Sequence, residues 1–252
     1  MQNIELKAMP RVKLGVLVPS VNYNMEPDIY KMLPEGVTAH FQRVLGFSPA
    51  KEPFADPDEV ARNFRITHEN AVSAAQVLAI IEPKVIAYGC TSGSFYFGLG
   101  HDYDIVKRIE AATGIRAITT STAGVEALKE LGIKKMCLVT PYPEHVTAKG
   151  KEFFESNGFE VPAVDFLDIS PLILHQQLPE VAYQMAVQGF RKGCEAVFIS
   201  CTGIRAIEII DRAEREMGVP VVTANQATLW LMLKEAGVTT PVEGFGELMR
   251  HL

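Results

Sequence analysis

Short apolar runs rich in β-branched residues alternate along the whole chain with longer amphipathic stretches. The short runs have the length of buried strands, and the amphipathic stretches have the period of helices. This alternation is typical of βαβ units, which build a parallel sheet with helices on its faces. The eight predicted strands are residues 13–18, 38–45, 85–89, 116–119, 135–140, 160–166, 196–200 and 219–223.

The strands form two sets of four that follow one plan. Residues 12–20 read Val-Lys-Leu-Gly-Val-Leu-Val-Pro-Ser, and residues 134–142 read Lys-Lys-Met-Cys-Leu-Val-Thr-Pro-Tyr. The third strands also correspond, because Val-Ile-Ala-Tyr-Gly-Cys-Thr ends at Thr91 and Val-Phe-Ile-Ser-Cys-Thr ends at Thr202. We therefore predict an α/β protein of two halves, each with a Cys-Thr pair at the end of its third strand.

The amphipathic stretches predict seven helices, and a glycine follows most of them as a natural C-terminal stop. Residues 47–57 carry three prolines and are the strongest loop signal, either a lid or a plain connection. The predicted helices are residues 57–81, 104–113, 122–131, 145–157, 178–192, 203–217 and 225–236.

Composition narrows the class of protein. The 252 residues carry a net charge of -6, and no Lys/Arg cluster with interleaved aromatic residues predicts a nucleic-acid partner. Apolar runs stay shorter than the roughly 18 residues of a membrane helix, and residues 1–7 lack signal-peptide character. We expect a cytoplasmic protein without nucleic-acid or membrane partners.

Loops at the carboxyl ends of the strands are where open α/β sheets bind ligands. Four loops fit best, at residues 19–22, 89–94, 141–143 and 200–203, and their glycines and hydroxyl residues suit a small carboxylate. The substrate-binding candidates on them are Ser20, Asn22, Thr91, Ser92, Tyr142, Thr202 and Gly203.

Cys90 and Cys201 are the catalytic candidates. A helix N-terminus after each strand would favour the thiolate, and one thiol per half would reach opposite faces of one substrate carbon. Such a pair suits proton transfer on both faces, or attack on a double bond by one sulfur with proton delivery by the other. Cys137 and Cys194 have the setting of core residues, and all four cysteines are expected to be free thiols.

Other chemistries receive little support from the chain. Residues 89–93 read Gly-Cys-Thr-Ser-Gly, a near miss to the Gly-x-Ser-x-Gly nucleophile elbow with Thr91 in the nucleophile position. Neither a Gly-x-Gly-x-x-Gly fingerprint nor a Gly-Lys-Ser/Thr loop is present, and the six histidines lack metal-ligand spacing. We predict no cofactor and no metal.

At these residues the chain resembles the aspartate/glutamate racemase superfamily, in its branch of maleate cis-trans isomerase and arylmalonate decarboxylase. Residues 18–26, Val-Pro-Ser-Val-Asn-Tyr-Asn-Met-Glu, are similar to the isomerase signature Val-Pro-Ser-Ser-Asn-x-Thr-Met-Glu. Cys90 and Cys201 fall where the family keeps its catalytic thiols, and Tyr142 falls at its active-site tyrosine. The decarboxylase lacks the first cysteine, so two thiols favour an isomerase or racemase.

The resemblance also carries implications for architecture. It implies two Rossmann-like halves related by a pseudo-dyad, each a four-stranded parallel sheet flanked by helices, and a homodimer. Residues 1–121 with 232–252 would form the first half and residues 122–231 the second, with the active site between them. The chain departs from the isomerases at two places. They have apolar residues where this chain has Thr91-Ser92, and Ile-Pro-Asp-Asn where residues 169–172 read Ile-Ser-Pro-Leu.

Four functions remain open at this point. The first is cis-trans isomerisation of maleate or a close analogue, in which Cys90 adds to the double bond and Cys201 supplies the proton. The others are racemisation of an amino acid or hydantoin, decarboxylation of a malonate derivative by Cys201 alone, and non-catalytic sensing of a small acid.

Overall fold

All eight predicted strands form in the computed structural model, which describes residues 11–46, 54 and 56–252. Their ends differ from the predicted ends by two residues at most. Most of the predicted loop at residues 47–57, namely residues 47–53 and 55, lies outside the described residues. The strands are β1 Val12–Pro19, β2 Val37–Val44, β3 Val85–Tyr88, β4 Ala117–Thr119, β5 Lys135–Thr140, β6 Glu160–Phe166, β7 Ala196–Ile199 and β8 Val221–Thr223.

The strands form two parallel sheets of identical topology. The first has the order β2-β1-β3-β4 and the second the order β6-β5-β7-β8. In the first sheet Leu14 of β1 lies opposite Ala39 of β2 and Val85 of β3. Helices flank both sheets, so the predicted fold of two Rossmann-like halves that repeat one plan is confirmed.

The helices agree with the predicted ones in place except at residues 203–209, and the structure adds three short helices. The added ones are α1, α3 and α7, of which α3 and α7 have only five and four residues. The helices are α1 Met25–Met32, α2 Pro57–Ala79, α3 Thr91–Phe95, α4 His101–Thr113, α5 Thr120–Glu130, α6 Glu144–Ser156, α7 Pro171–Leu174, α8 Pro179–Gly189, α9 Ile210–Met217 and α10 Ala224–Glu235.

The predicted helix at residues 203–217 is wrong in its first part. Residues 203–206 are irregular, a 3-10 turn covers Ile207–Ile209, and α9 begins at Ile210. Contacts with other segments occupy the backbone there, because Gly203 O accepts from Asn24 Nδ2 at 2.7 Å and lies 3.1 Å from His175 Nδ1. No helix N-terminus therefore follows Cys201 directly.

The core lies between each sheet and its helices. Residues such as Leu14 and Val16 of β1 and Leu138 of β5 are fully buried. Helix α10 joins the halves, since it follows β8 of the second sheet and packs against α1, α5 and β3. Of the helices in the described part of the chain, none combines the length and apolar character needed to span a membrane.

Candidate active site

A cavity lies where the loops after β1, β3, β5 and β7 meet, between the two sheets. Parallel strands end at the same edge of a sheet, so loops distant in sequence come together there. All of the predicted site residues except Ser20 line this cavity: Asn22, Cys90, Thr91, Ser92, Tyr142, Cys201, Thr202 and Gly203.

Ser20 is the one predicted site residue that the structure leaves outside the cavity. Its side chain is exposed, and its backbone N–H donates to Val44 O at 2.9 Å. The chain turns at this point, with Asn22 N donating to Pro19 O at 2.9 Å. The turn brings Pro19, Val21 and Asn22 to the cavity wall and leaves Ser20 out of it.

Cys90 lies between β3 and α3 and is buried. Burial raises the pKa of its thiol from 9.0 to about 11, and the nearby Cys201 adds to the rise. Hydrogen bonds from the Gly93 backbone and Ser92 act in the opposite direction and favour the thiolate. Helix α3 does begin directly after Cys90, as predicted, but burial outweighs the donors and favours the thiol form of Cys90.

Cys201 follows β7 and is half-buried. Burial raises the pKa of this thiol as well, while hydrogen bonds with Tyr142, Gly203 and Ile204 lower it. The Gly203 backbone N–H donates to Cys201 Sγ at 3.2 Å. The two sulfurs interact electrostatically across the cavity, so each thiol resists ionisation while the other is charged.

Thr202 connects the two cysteine loops. Its hydroxyl accepts from Asn22 Nδ2 at 3.0 Å and donates to Gly89 O at 3.2 Å, directly before Cys90. Asn22 Oδ1 accepts from the backbone N–H groups of Asn24 at 2.9 Å and Met25 at 3.1 Å. Asn22 thus holds the start of α1 and reaches the cavity at the same time.

An apolar wall formed by Ile169, Pro171 and Leu174 closes the cavity, and the sequence patterns did not identify it. These residues follow β6, an edge strand whose loop reaches the same edge of the sheet. His175 also lines the cavity, with Nδ1 3.1 Å from Gly203 O, so Nδ1 carries a proton. Burial lowers the pKa of His175, which keeps the ring neutral.

Two histidines, the buried His68 and the half-buried His101, support the loop of Cys90 from behind. His68 Nε2 lies 2.9 Å from Gly93 O, and His101 Nε2 lies 3.1 Å from His68 Nδ1. A carbonyl oxygen only accepts, so His68 Nε2 carries a proton and His68 Nδ1 accepts from His101. The pair therefore fixes helix α3, whose first residue follows Cys90.

Acid is expected to destabilise the protein through His68. Burial, with a contribution from His101, lowers the pKa of His68 from 6.5 to about 4. The unfolded chain takes up this proton as the pH falls below about 6.5, and the folded protein only near 4, so stability is lost across that window. His68 alone should contribute a loss of about 2 kcal/mol between about pH 7.5 and pH 5, which is measured in urea unfolding as the change with pH of the stability difference between the wild type and the His68→Gln variant.

The His68→Gln variant is the control for this loss. Glutamine keeps an amide donor for Gly93 O but does not titrate, so this part of the pH dependence should disappear. An unchanged pH dependence in the variant would show that His68 is not the group responsible.

Two corresponding thiols that face one cavity between Rossmann-like halves define a class: the cofactor-independent isomerases and racemases of the aspartate/glutamate racemase superfamily. Within the described residues, no cluster of three or more His, Cys, Asp or Glu side chains could hold a metal ion. The chain belongs to the arylmalonate decarboxylase family, whose sequence model matches residues 14–249.

Similar proteins agree with this family. A maleate isomerase of Pseudomonas putida is 30% identical over 254 residues, which cover 94% of this chain and 96% of that protein. The maleate isomerase Iso of Pseudomonas putida S16, solved with maleate, has a TM-score of 0.86 at 24% identity and covers 95% of this chain and 98% of its own.

A third relative is a variant of the maleate cis-trans isomerase of Nocardia farcinica that holds a covalently bound succinylcysteine intermediate. It has a TM-score of 0.85 at 21% identity, and the match covers 94% of this chain and 98% of that one. At this identity the likeness shows a shared fold.

Proposed function

We propose that the protein isomerises maleate, or a close analogue, to fumarate through Cys90 and Cys201. The observation that carries this proposal is the placement of the two thiols, one from each half, on a single cavity. The relatives support it, because proteins that match nearly the whole chain are maleate isomerases. The covalent succinylcysteine of the Nocardia farcinica protein supports addition of a thiol to the double bond.

The carboxylates of the substrate would bind to neutral donors. The lining donors are Thr91 and Ser92 from the Cys90 loop, Thr202 and Gly203 from the Cys201 loop, and Asn22. Lysine and arginine are absent from the described lining, so backbone N–H groups, hydroxyls and an amide hold the charge. Donors from both cysteine loops suit the two carboxylates of a cis-dicarboxylate.

The reaction proceeds by addition and elimination. Cys90 first gives its thiol proton to solvent. Its thiolate then forms a bond to one alkene carbon, and the Cys201 thiol gives its proton to the neighbouring carbon, which leaves a single bond that rotates. Cys201 then takes a proton back from that carbon and the bond from carbon to Cys90 breaks, which restores both sulfurs. Donors from Gly93 and Ser92 stabilise the Cys90 thiolate at the beginning and end.

Incubation with maleate and a chelator tests the proposal directly. Proton NMR should show the maleate signal replaced by that of fumarate, and intact-protein mass spectrometry should show an adduct of one maleate on Cys90 during turnover. If neither fumarate nor the adduct forms, the proposal is wrong.

The apolar wall favours a second candidate, decarboxylation of a malonate derivative with an apolar side group. Ile169, Pro171 and Leu174 would contact that group, and Cys201 alone would protonate the product carbon. Release of CO₂ from such a substrate by the Cys90→Ala variant at nearly the wild-type rate would support this candidate and contradict the first.

The domain limits stay predictions of ours. We propose that residues 1–121 with 232–252 form one domain and residues 122–231 the other, which the two separate sheets and the contacts of α10 with α1 and β3 support. The homodimer and the cytoplasmic location are predictions from the sequence, and sedimentation velocity would test the dimer.

A further inference from the structure

A buried carboxyl group lies beneath the loop of Cys201. Asp28, on α1, is only 2% exposed, and the side chain of Asn225, in the first turn of α10, separates it from Thr202. Asn225 Nδ2 donates to Asp28 Oδ2 at 2.8 Å and to Thr202 O at 3.1 Å. One amide therefore joins α1 and α10 to the residue that follows Cys201.

The orientation of the Asn225 amide is fixed by its partners. Thr202 O can only accept, so the NH₂ group must face it, and both N–H bonds are used. Asn225 Oδ1 is then left buried, without a hydrogen-bond donor among the described residues. Because an unsatisfied buried carbonyl oxygen is costly, a neighbouring group that can donate to Asn225 Oδ1 would stabilise this arrangement.

Asp28, which already accepts a hydrogen bond from this amide, can supply such a donor when its carboxyl group is protonated. A carboxylic acid and a primary amide form a cyclic pair, in which the amide N–H donates to one acid oxygen and the acid O–H donates to the amide oxygen. We propose that Asp28 is a positioning residue that acts as a neutral acid: its O–H pairs with Asn225 Oδ1, and this pair holds the Thr202 carbonyl and thereby Cys201.

The charges around Asp28 agree with a neutral acid. Lys31 on α1 and Arg205 after β7 both bind Glu208, each at 2.9 Å, so Glu208 takes up both nearby cations. Burial raises the pKa of Asp28 from 3.8 to about 7; Glu208 raises it further, and Asn225, Lys31 and Arg205 oppose the rise. The acid therefore ionises near neutral pH.

Ionisation would loosen the loop of Cys201. The carboxylate keeps the N–H bond from Asn225, but its second oxygen now repels Asn225 Oδ1 and turns the amide away from Thr202 O. Thr202 also binds Asn22 and Gly89, so the change reaches the contact between the two cysteine loops. The inference rests on the proposed function only where it concerns turnover.

Alkylation of Cys201 by iodoacetamide, followed by peptide mass spectrometry between about pH 5.5 and pH 8.5, tests the inference without substrate. Below its pKa a thiol reacts about tenfold faster per pH unit. In the wild type a plot of the logarithm of the alkylation rate against pH should break near pH 7. The rate above the break should differ by roughly threefold or more from the rate that the low-pH line predicts, a size typical of neighbours in one hydrogen-bond network.

Three variants separate the possible outcomes. Asp28→Asn mimics the neutral acid, because its own amide can donate to Asn225 Oδ1, so the break should vanish and the low-pH behaviour should extend to high pH. Asp28→Leu removes the pair and should change Cys201 reactivity at every pH. Asp104→Asn, at an exposed carboxylate of α4, should follow the wild type.

A break that persists in Asp28→Asn would overturn the inference, and so would wild-type behaviour of Asp28→Leu. If Asp28→Leu fails to fold, the isosteric Asp28→Asn variant still decides the matter. Maleate turnover is measured in parallel: no fumarate together with the expected alkylation pattern would contradict only the proposed function. Turnover with an unbroken slope in the wild type would contradict only the role of Asp28.

Discussion

Replacing Cys90 with serine is expected to lower the rate of maleate isomerisation by about a thousandfold or more, because a hydroxyl does not form an anion near neutral pH. The variant should also form no covalent adduct with maleate. Ser92 and the Gly93 N–H remain in place, so substrate binding should change little. Single-turnover NMR and intact-protein mass spectrometry measure the two effects.

Cys201→Ser should give a different result. It loses turnover to a similar extent, because serine is too weak an acid to deliver the proton quickly, but Cys90 is still present to attack the double bond. A slow accumulation of the adduct on Cys90 is therefore expected. Equal behaviour of the two variants, either both with adduct or both without, would contradict the division of roles between the sulfurs.

Cys194→Ser is the matched control for both variants. Cys194 is buried outside the cavity, in the segment before β7, and its substitution should leave turnover within about twofold of the wild type. A large loss in this control would indicate that serine at a buried cysteine damages the fold, and the results at Cys90 and Cys201 would then need the same explanation.

The sheets could be predicted from the sequence because their determinants are local. Buried parallel strands need continuous apolar runs, and the run at β5 has in the structure the limits that the sequence predicted. Helix α3 could not be predicted, since five residues with Gly93 among them carry no helical period. Residues 203–206 were misassigned because contacts with Asn24 and His175, far away in sequence, decide their conformation.

The candidate site was likewise predictable from the sequence only in part. Cys90 and Cys201 could be located because each directly follows a strand, and the end of a strand is a local signal. The wall of Ile169, Pro171 and Leu174 depends on how the loop after β6 docks, which no local pattern reports. The direction of the thiol pKa shifts could not be predicted from the sequence either, because burial is a property of the assembled halves.

Tyr142 illustrates what assembly adds, since it belongs to the second half and contacts groups of both. Its hydroxyl forms hydrogen bonds with Cys201 and with Ser92 of the first half. Its ring packs edge-on against Phe54 and Phe95, at centroid distances of 6.0 Å and 6.1 Å. Burial raises the pKa of Tyr142 well above its ordinary value, so this hydroxyl stays protonated and acts as a donor to sulfur.

Tyr142→Phe is accordingly expected to lower kcat by about a hundredfold, the usual cost of removing one donor from a developing anion, with little change in KM. The ring contacts survive, and the pKa of Cys201 should rise, because Tyr142 is its strongest opposing influence to burial. The pH dependence of Cys201 alkylation measures that rise.

Tyr30→Phe, at an exposed tyrosine of α1, should match the wild type. A loss below about threefold with unchanged Cys201 reactivity would mean that Tyr142 only packs, and that the backbone N–H groups of Gly203 and Ile204 suffice to hold the sulfur.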